Sequence, residues 1–361
     1  MNQYDIKGFQ LIADAGQFSL NILCRNSVTV GLVANPASAR DIRRLVADAS
    51  AVTTNDKLNL IRRAMVGLAA AGVDRVVSMT DLSGLSGGLA ALAAGRAGKK
   101  WPALQFVQQE ITQTVLDTTT AVRAMVAEPV DLILVLGGDG TNRAVAKECG
   151  DIPLLPISTG TNNAFPKPVE PTVAGIAAGL FATGQLHAEE TVRRSKCLVV
   201  NHRGNRELAL VDVAVTTQDN VGAGAVYDTD CLRELFLCFA EPSAIGLSAI
   251  GGHAHPITRE EPRGLRLRFG TPELASVLAP IAPGLVARVG LAEIEVLELG
   301  ERRRVREEAG VIAIDGERMT PFTADHPVEV TLDSAGPLVL DVERCMTSAA
   351  QRGLLRRAGM D

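Results

Sequence analysis

A glycine-rich turn containing one acid is the segment of this chain best suited to chemistry. It lies in LVLGGDGTNRAVAKEC, residues 134–149, between an apolar strand and a helix predicted to begin near Asn142. Three positions in the turn carry no side chain, which lets the backbone bend sharply and approach a ligand: Gly137, Gly138 and Gly140. Their amides, those at the helix start and the Thr141 hydroxyl could donate hydrogen bonds to phosphate oxygens. The pattern predicts a phosphate-binding loop.

Asp139 is the unusual member of this loop, because a carboxylate repels phosphate. Two chemical tasks would justify it: holding Mg²⁺, or accepting the proton of a hydroxyl group that is being phosphorylated. The alternative is an ordinary β-to-α turn in which Asp139 and Gly140 supply turn geometry alone.

A second polar loop follows about twenty residues later. The segment PLLPISTGTNNAF, residues 153–165, reads as a short apolar strand and then a cluster of hydroxyl and amide side chains. By itself the cluster could be a helix cap. Consecutive βα loops lie at the same edge of a parallel sheet, so the two loops together favour a nucleotide site. Its candidates for ribose, base or phosphate contacts are Thr159, Gly160, Thr161, Asn162 and Asn163.

The elements around these loops predict an α/β domain with a parallel sheet, in which ligands bind at the carboxyl ends of the strands. Apolar runs predict strands, and helical spacing with glycine stops predicts helices. Residues 82–100 read as a loop or helix, and residues 106–127 as a strand or loop leading into a long helix. The predicted strands are 27–34, 75–79 and 131–136, and the predicted helices are 41–49 and 56–71.

The sequence changes character after about residue 190, where short β-prone runs alternate with turn signals. These runs predict a mainly antiparallel second domain: 197–201, 207–217, 264–269, 292–299, 310–314, 328–332 and 337–342. We expect a short hinge near residues 165–190. The expected division is an N-terminal extension over 1–26, an α/β nucleotide-binding domain over 27–170, a mainly β domain over 171–345 and a C-terminal tail over 346–361.

The composition narrows the function classes. With 361 residues, of which 47% are hydrophobic and 21% charged, the chain has the composition of a globular protein of two domains. A formal net charge of -5 argues against a general nucleic-acid binder. The start lacks a secretory pattern, and the apolar stretches are too short or too interrupted for a membrane span. Its 6 cysteines lack C-x-x-C spacing. We therefore expect a cytoplasmic protein with reduced thiols and no membrane partner.

The motifs resemble those of a known superfamily. G-G-D-G-T at residues 137–141 is similar to the signature loop of NAD kinases, diacylglycerol kinases and sphingosine kinases. The order of segments, including VANPASARDIRRLVAD at 33–48 and DVAVTTQDNVGAGAVYD at 212–228, most resembles the acetoin-catabolism protein X branch of the ATP-NAD kinase family. The resemblance covers roughly residues 27–340.

The resemblance implies further site residues. Asn35 and Pro36, with Ser38 close behind, look like the family's first nucleotide loop. Residues 160–163 resemble the lipid-kinase G-T-x-N-D more than the N-T-G-x-L-G-F of NAD kinases. The sequence I-D-G-E at residues 314–317 resembles a D-G-E hairpin of the second domain, which implies that Asp315 or Glu317 faces the interdomain cleft. The implied cofactors are ATP and Mg²⁺, with NAD as the substrate.

The chain departs from ordinary NAD kinases in its second half. Those enzymes carry an Asn-Glu pair that holds the dinucleotide, whereas this chain keeps an acid at Asp212 but has Val211 in place of the asparagine. A later hydroxyl-rich segment is replaced by V-G-A-G-A, with Gly222 and Gly224 as candidates. These departures argue against NAD itself as the acceptor and leave the phosphate loop intact.

The resulting hypothesis is a phosphotransferase that moves a phosphoryl group from ATP, with Mg²⁺, to a hydroxyl on NAD or a related acceptor. Asp139 would be the catalytic carboxylate, with nucleotide contacts from the loops, including the start of the helix at Asn142. The rival is a nucleotide-binding regulatory or accessory protein without turnover, and a second alternative is a lipid-type kinase. We also expect a homo-oligomer.

Overall fold

The computed structural model describes residues 4–6, 9–14, 17–19, 27–38, 48, 52–96, 98–160, 163–217, 229–271, 273 and 275–356. The predicted helix 41–49 therefore lies outside the described residues, apart from Asp48. Within the described part, the helices are α1 (Thr54–Ala70), α2 (Leu85–Ala94), α3 (Val115–Ala127), α4 (Asp139–Ala146), α5 (Pro171–Ala182), α6 (Ala188–Thr191), α7 (Leu247–Ala254) and α8 (Val342–Gln351), with a 3₁₀ turn at Gly98–Lys100.

The described strands fall into a short N-terminal sheet and three larger ones. The N-terminal strands are β1 (Tyr4–Ile6), β2 (Phe9–Asp14) and β3 (Gln17–Ser19). Those of the α/β region are β4 (Thr29–Ala34), β5 (Arg75–Ser78), β6 (Ala103–Phe106), β7 (Leu132–Gly137), β8 (Leu154–Ser158) and β9 (Val192–Arg194). The remaining strands are β10 (Cys197–His202), β11 (Asn205–Ala209), β12 (Asp212–Thr216), β13 (Leu232–Leu237), β14 (Arg263–Phe269), β15 (Ser276–Ala282), β16 (Leu285–Glu298), β17 (Arg302–Arg304), β18 (Gly310–Ile314), β19 (Glu317–Phe322), β20 (Glu329–Asp333) and β21 (Leu338–Leu340).

A seven-stranded sheet forms the first domain, in the order β6-β5-β4-β7-β8-β21-β9. The strands β4 to β8 are parallel, as predicted, and every residue of β4 and β7 is buried. Burial on both faces follows because α1 and α5 contribute to one apolar core while α3 contributes to another. The sheet places the carboxyl ends of β4, β7 and β8 side by side.

The chain returns to this sheet after the second domain. Strand β21 pairs in parallel with β8, β9 pairs antiparallel with β21, and α8 packs on α5 and α6. The structure thus differs from the expected boundaries, since α5 and β9 follow residue 170 and the helix α8 begins before the predicted tail and ends within it. Strand β21 covers the edge of β8, with Val339 opposite Leu154.

The second domain is mainly antiparallel, as predicted. One sheet has the order β15-β16-β14-β13-β12-β18-β19, and a second has the order β11-β10-β20-β17. Apolar residues of both sheets form the core of this domain. The predicted run 207–217 is two strands, β11 and β12, separated by Leu210 and Val211, and the strands β13 and β15 and the helix α7 were not predicted. Of the helices described, none is both long and apolar enough to cross a bilayer.

Candidate functional site

Three polar loops meet at the carboxyl edge of the first sheet. They follow β4, β7 and β8, which are direct neighbours in the sheet. The Asn35 side-chain amide donates to Thr141 Oγ1 at 2.9 Å, and the hydroxyls of Ser38 and Thr159 lie 3.0 Å apart. The structure therefore brings together the loops that the sequence analysis proposed as one nucleotide site.

The loop after β4 is held from inside the protein by Lys57. This residue lies on α1 in line with the apolar residues Ile61 and Met65, and it is 1% exposed. Its ammonium group donates to the carbonyls of Asn35 (3.0 Å), Pro36 (2.7 Å) and Ser38 (2.8 Å). Pro36 thus contributes its carbonyl to loop geometry, and Lys57 fixes the backbone on which Asn35 and Ser38 are presented.

Replacing Lys57 with methionine is expected to loosen this loop. The apolar part of the side chain is retained, but three carbonyls lose a charged donor, so we expect a loss of at least about 2 kcal/mol in the free energy of unfolding. Urea unfolding measures this loss, and an ATP titration should show weaker binding. Lys147→Met, at a lysine whose side chain is 33% exposed and pairs with Glu207, is the control. A free energy of unfolding in Lys57→Met equal to that of the wild type would contradict the role of Lys57 in holding this loop.

The helix α4 begins at Asp139, three residues before the predicted start. Its N-cap is Gly138, which has no side chain to cover the first amides. A Cβ at Gly138 would lie 2.7 Å from Asn163 Oδ1, so glycine is required for the approach of the third loop. The first helical hydrogen bond runs from Asn142 N to Gly138 O at 3.1 Å. The amides of Gly140 and Thr141 therefore precede the helical ladder and lie at the loop edge.

Three members of the predicted site support the loops from within. Asn142 is fully buried, and its side-chain amide donates to the Gly138 carbonyl at 2.9 Å. Gly160 uses its carbonyl to accept from Ser158 Oγ at 2.8 Å, while Asn163 Nδ2 donates to the same Ser158 Oγ at 2.8 Å. These groups shape the turn, and their contacts with a nucleotide stay a prediction.

The Asp139 carboxylate binds the backbone of the segment after the third loop. Ala164 N donates to Oδ1 at 3.2 Å and to Oδ2 at 3.0 Å, and Phe165 N donates to Oδ1 at 2.8 Å. The Phe165 side chain belongs to the core of the second domain. Asp139 therefore faces the second domain, with both carboxylate oxygens bound to backbone amides.

Arg143 connects the G-G-D-G-T loop at residues 137–141 to the second domain, and the sequence analysis missed it. It lies four residues after Asp139 on α4, and its guanidinium donates to the Ile314 carbonyl at 3.1 Å and to Glu317 Oε2 at 2.9 Å. Glu317 is half-exposed, and a Cβ at Gly140 would lie 2.7 Å from its Oε1. The Glu317 carboxylate thus lies directly against the G-G-D-G-T loop, on the side of the interdomain cleft that the D-G-E resemblance implied.

Asp315 does not face the cleft, which corrects the other half of that expectation. Its side chain is fully buried and accepts from the amides of Leu210 (3.0 Å) and Val211 (2.8 Å). Asp212 is also buried, and its carboxylate accepts from Gly316 N at 3.3 Å. The two acids therefore tie the β11–β12 turn to the β18–β19 hairpin, so Asp212 is not presented as a substrate ligand.

The pKa of Asp315 is raised to about 6, chiefly because burial penalises its charge, while Arg143 opposes the shift and Asp139 adds to it. The native state therefore holds this proton at a pH where the unfolded chain has lost it. Stability from this group is fully present below the unfolded pKa, near 4, and is lost as the pH rises through about 6.

Asp315→Asn removes this titration and keeps one oxygen for the backbone donors. We expect the stability of the wild type, relative to the variant, to fall between pH 4 and 7, by up to about 1.4 kcal/mol per pH unit. Urea unfolding of both proteins across this range measures the difference. A difference that is constant with pH would contradict the shifted pKa.

The carboxylates beside the loop fit a metal ion that binds together with the phosphates of a nucleotide. Among the described residues, no group of three or more His, Cys, Asp or Glu side chains could hold a metal. Mg²⁺ commonly binds through one or two carboxylates together with substrate phosphates, and Asp139 and Glu317 are carboxylates beside the loop. Thr161, Asn162, Gly222 and Gly224 lie outside the described residues.

The comparisons with known proteins agree with this arrangement. A family model described as the ATP-NAD kinase N-terminal domain matches residues 30–185. A second model, the acetoin catabolism protein X C-terminal domain, matches residues 196–335. The acetoin catabolism protein X of Cupriavidus necator is 42% identical over 336 residues, covering 91% of this chain and 94% of that relative. The chain therefore belongs to the acetoin catabolism protein X family, and its first domain is of the ATP-NAD kinase type.

Proposed function

We propose that this protein is an ATP-dependent phosphotransferase of the NAD kinase type, which phosphorylates a hydroxyl of NAD or of a related acceptor. The observation that carries the proposal is the position of the G-G-D-G-T turn. It ends a central parallel strand, begins α4 with an N-cap that has no side chain, and places Gly140 against Glu317 of the second domain. Backbone donors, a nearby carboxylate and a second domain are what phosphoryl transfer requires of a protein.

Each group of residues has a separate role in the proposed reaction. The amides of Gly140 and Thr141 donate to phosphate oxygens at the positive end of α4. The loops at Asn35, Ser38 and Thr159 hold the rest of the nucleotide. The Asp139 carboxylate accepts the proton of the acceptor hydroxyl, while its amide contacts hold it in place. Glu317, beside the loop, would hold Mg²⁺ together with the nucleotide phosphates, and the ion would supply neutralisation of their charge.

The residues at the acceptor side of the site differ from those of ordinary NAD kinases. Val211 stands where NAD kinases have an asparagine, and both it and Asp212 are buried. The contact of Asp212 with Gly316 N further commits that carboxylate to the fold. A dinucleotide would thus need other contacts than those of ordinary NAD kinases, so a related hydroxyl compound is included. The relative's name places it in acetoin catabolism, which suggests small hydroxylated metabolites as additional acceptors to assay.

A phosphotransfer assay tests the proposal. Purified protein is incubated with ATP labelled in the γ-phosphoryl group, Mg²⁺ and either NAD or a panel of small hydroxyl compounds, and a dehydrogenase specific for NADP detects NADP separately. Label transferred to any acceptor supports the proposal. ATP binding without transfer to any acceptor would overturn it. Transfer to diacylglycerol in mixed micelles, but to no soluble acceptor, would indicate the lipid-type kinase.

A nucleotide-binding regulatory or accessory protein without turnover is the second candidate. It is favoured by the Asp139 carboxylate, both of whose oxygens accept backbone amides, and by the buried Asp212. A regulator needs the cradle but no base. Ligand binding stabilises a protein in proportion to its affinity, so thermal unfolding with ATP, ADP and NAD identifies the ligand in either case.

A further inference from the structure

The two residues that bind Asp139 are shared between the domains. Ala164 and Phe165 follow the third loop, and their amides donate to the Asp139 carboxylate of α4. The Phe165 side chain is 4% exposed and packs among apolar residues of the second domain. The position of this dipeptide therefore depends on both domains, and Asp139 depends on the dipeptide.

The carbonyl groups of the same dipeptide are bound by one cation of the second domain. Arg259 Nη1 donates to Phe165 O at 2.9 Å, and Arg259 Nη2 donates to Ala164 O. The N–H groups thus point to a carboxylate and the C=O groups to a guanidinium. The Ala164 carbonyl and the Phe165 N–H belong to the same peptide group, and hydrogen bonds arranged in a chain polarise one another, so a cation at that carbonyl strengthens the Phe165 N–H as a donor.

Arg259 is itself held in place by neighbouring groups. Its guanidinium forms an ion pair with Glu241, with Nε–Oε1 at 3.0 Å, and lies over the Phe239 ring at 4.1 Å from the centroid. Ala240 and Ile257 exchange backbone hydrogen bonds of 2.8 and 3.0 Å, which fixes the loop carrying Arg259 against the end of β13. A side chain held from two sides can set the position of the backbone that it binds.

We propose that Arg259 is a positioning residue for Asp139, acting from the second domain through the Ala164–Phe165 dipeptide. Its consequence for turnover rests on the proposed phosphotransferase function, but the positioning itself does not. Through these contacts, the Asp139 carboxylate is correctly placed when the second domain packs against the first. A residue that merely stabilised the fold would leave the Asp139–Phe165 hydrogen bond unchanged in the folded variant.

The sequence offers a direct probe of this bond. Ala164–Phe165 is the one Ala-Phe pair in the chain. Protein labelled with ¹³C-carbonyl alanine and ¹⁵N phenylalanine therefore gives a single carbonyl-correlated amide signal, that of Phe165. A hydrogen bond to a carboxylate shifts the amide proton downfield, so this signal reports the bond to Asp139 without any assay of activity. Asp139→Ala, which removes both carboxylate oxygens, supplies the reference for a Phe165 amide that has lost its acceptor.

We expect Arg259→Gln to move the Phe165 amide signal from the wild-type position toward that of Asp139→Ala, and Arg259→Lys to move it less. Arg263→Gln, at an arginine four residues away that pairs with Glu261, is the control and should leave the signal in place. If Arg259→Gln does not fold, Glu241→Gln loosens the guanidinium and should produce a smaller shift in the same direction. An unchanged Phe165 signal in a folded Arg259 or Glu241 variant would overturn the proposal.

A kinetic comparison follows if the wild type shows turnover. Misplacement of a reacting group by about 1 Å lowers a rate by about 100-fold, so Arg259→Gln should lower kcat by about 10- to 100-fold. The KM for ATP should change less than about two-fold, because the loops that bind the nucleotide are untouched. A rise of about 10- to 100-fold in the KM for ATP, with kcat unchanged, would contradict the positioning role. Absence of turnover in the wild type would refute the phosphotransferase while leaving the amide signal as the test of Arg259.

Discussion

Asp139→Asn is expected to lower the rate of phosphoryl transfer by about 10²–10⁴-fold, the usual contribution of a general base. The amide cannot accept the proton of the acceptor hydroxyl at neutral pH. Loss of a negative charge beside the phosphates should leave ATP binding unchanged or make it tighter. The combination of a lower kcat with equal or tighter ATP binding separates a catalytic carboxylate from a residue that only supports the loop.

The same variant has a structural effect that can be measured independently. Asparagine keeps one oxygen for Phe165 N, but its NH₂ group replaces the oxygen that accepts from Ala164 N at 3.0 Å, so Ala164 N keeps only its 3.2 Å contact with the remaining oxygen. The loss of a hydrogen bond of this kind costs about 0.5–1.5 kcal/mol in the free energy of unfolding. Asp151→Asn makes the same chemical change at an acid whose side chain is 85% exposed. It should change neither kcat nor the free energy of unfolding. Retention of more than about a tenth of the wild-type kcat in Asp139→Asn would refute the base role.

Arg143→Met is expected to have the largest effect on stability, a loss of about 3–5 kcal/mol at pH 8. The guanidinium is 8% exposed and lies between the two domains, 3.9 Å from Asp315 Oδ2. Removing it leaves the buried Asp315 charge without its counter-ion. A buried charge that loses its partner costs far more than a surface pair, because water cannot replace the missing cation.

The pH dependence of this loss identifies its cause. Arg143 lowers the pKa of Asp315, which burial has raised to about 6, so without Arg143 that pKa rises further. At pH 5 the Asp315 side chain is mostly neutral in either protein, and the loss should be smaller than at pH 8. The double variant Arg143→Met with Asp315→Asn should recover part of the loss at pH 8.

Arg123→Met is the matched control for Arg143→Met. Arg123 is also a helical arginine bound to a carboxylate, Glu148, at 2.7 Å, but its side chain is 63% exposed. Pairs of this kind contribute about 0–1 kcal/mol. A loss in Arg143→Met as small as that in Arg123→Met would show that the domain contact does not depend on this ion pair.

Local sequence patterns were sufficient to predict the elements that carry the loops. Uninterrupted apolar runs, as in β4 and β7, occur where a parallel strand is buried on both faces, and a glycine-rich turn after such a run fits a helix start. The meeting of the loops at Asn35, Thr141 and Thr159 followed, because parallel βα units present their loops at one edge. Glu317 beside the loop followed from the resemblance of its motif.

Local sequence patterns could not predict the contacts between residues that are distant in sequence. Lys57 gave a weak signal as a lysine on the apolar face of a helix, and Arg143 as a residue one turn after Asp139, but neither pattern names a partner. Asp315 and Glu317 are two residues apart on one hairpin, and only the packing of the domains decides that one is buried and the other faces the loop. The pairing of Arg259 with residues 164–165 spans more than ninety positions.

The sequence by itself determined the α/β and mainly antiparallel β parts of the fold, the glycine-rich turn after β7 and the family, because these depend on periodicity, backbone freedom and local motifs. The tertiary structure alone decided which acids are available for chemistry and how the domains are joined. The physical reason is that burial and partner geometry set the charge state and orientation of a side chain, and both depend on residues that are distant in sequence.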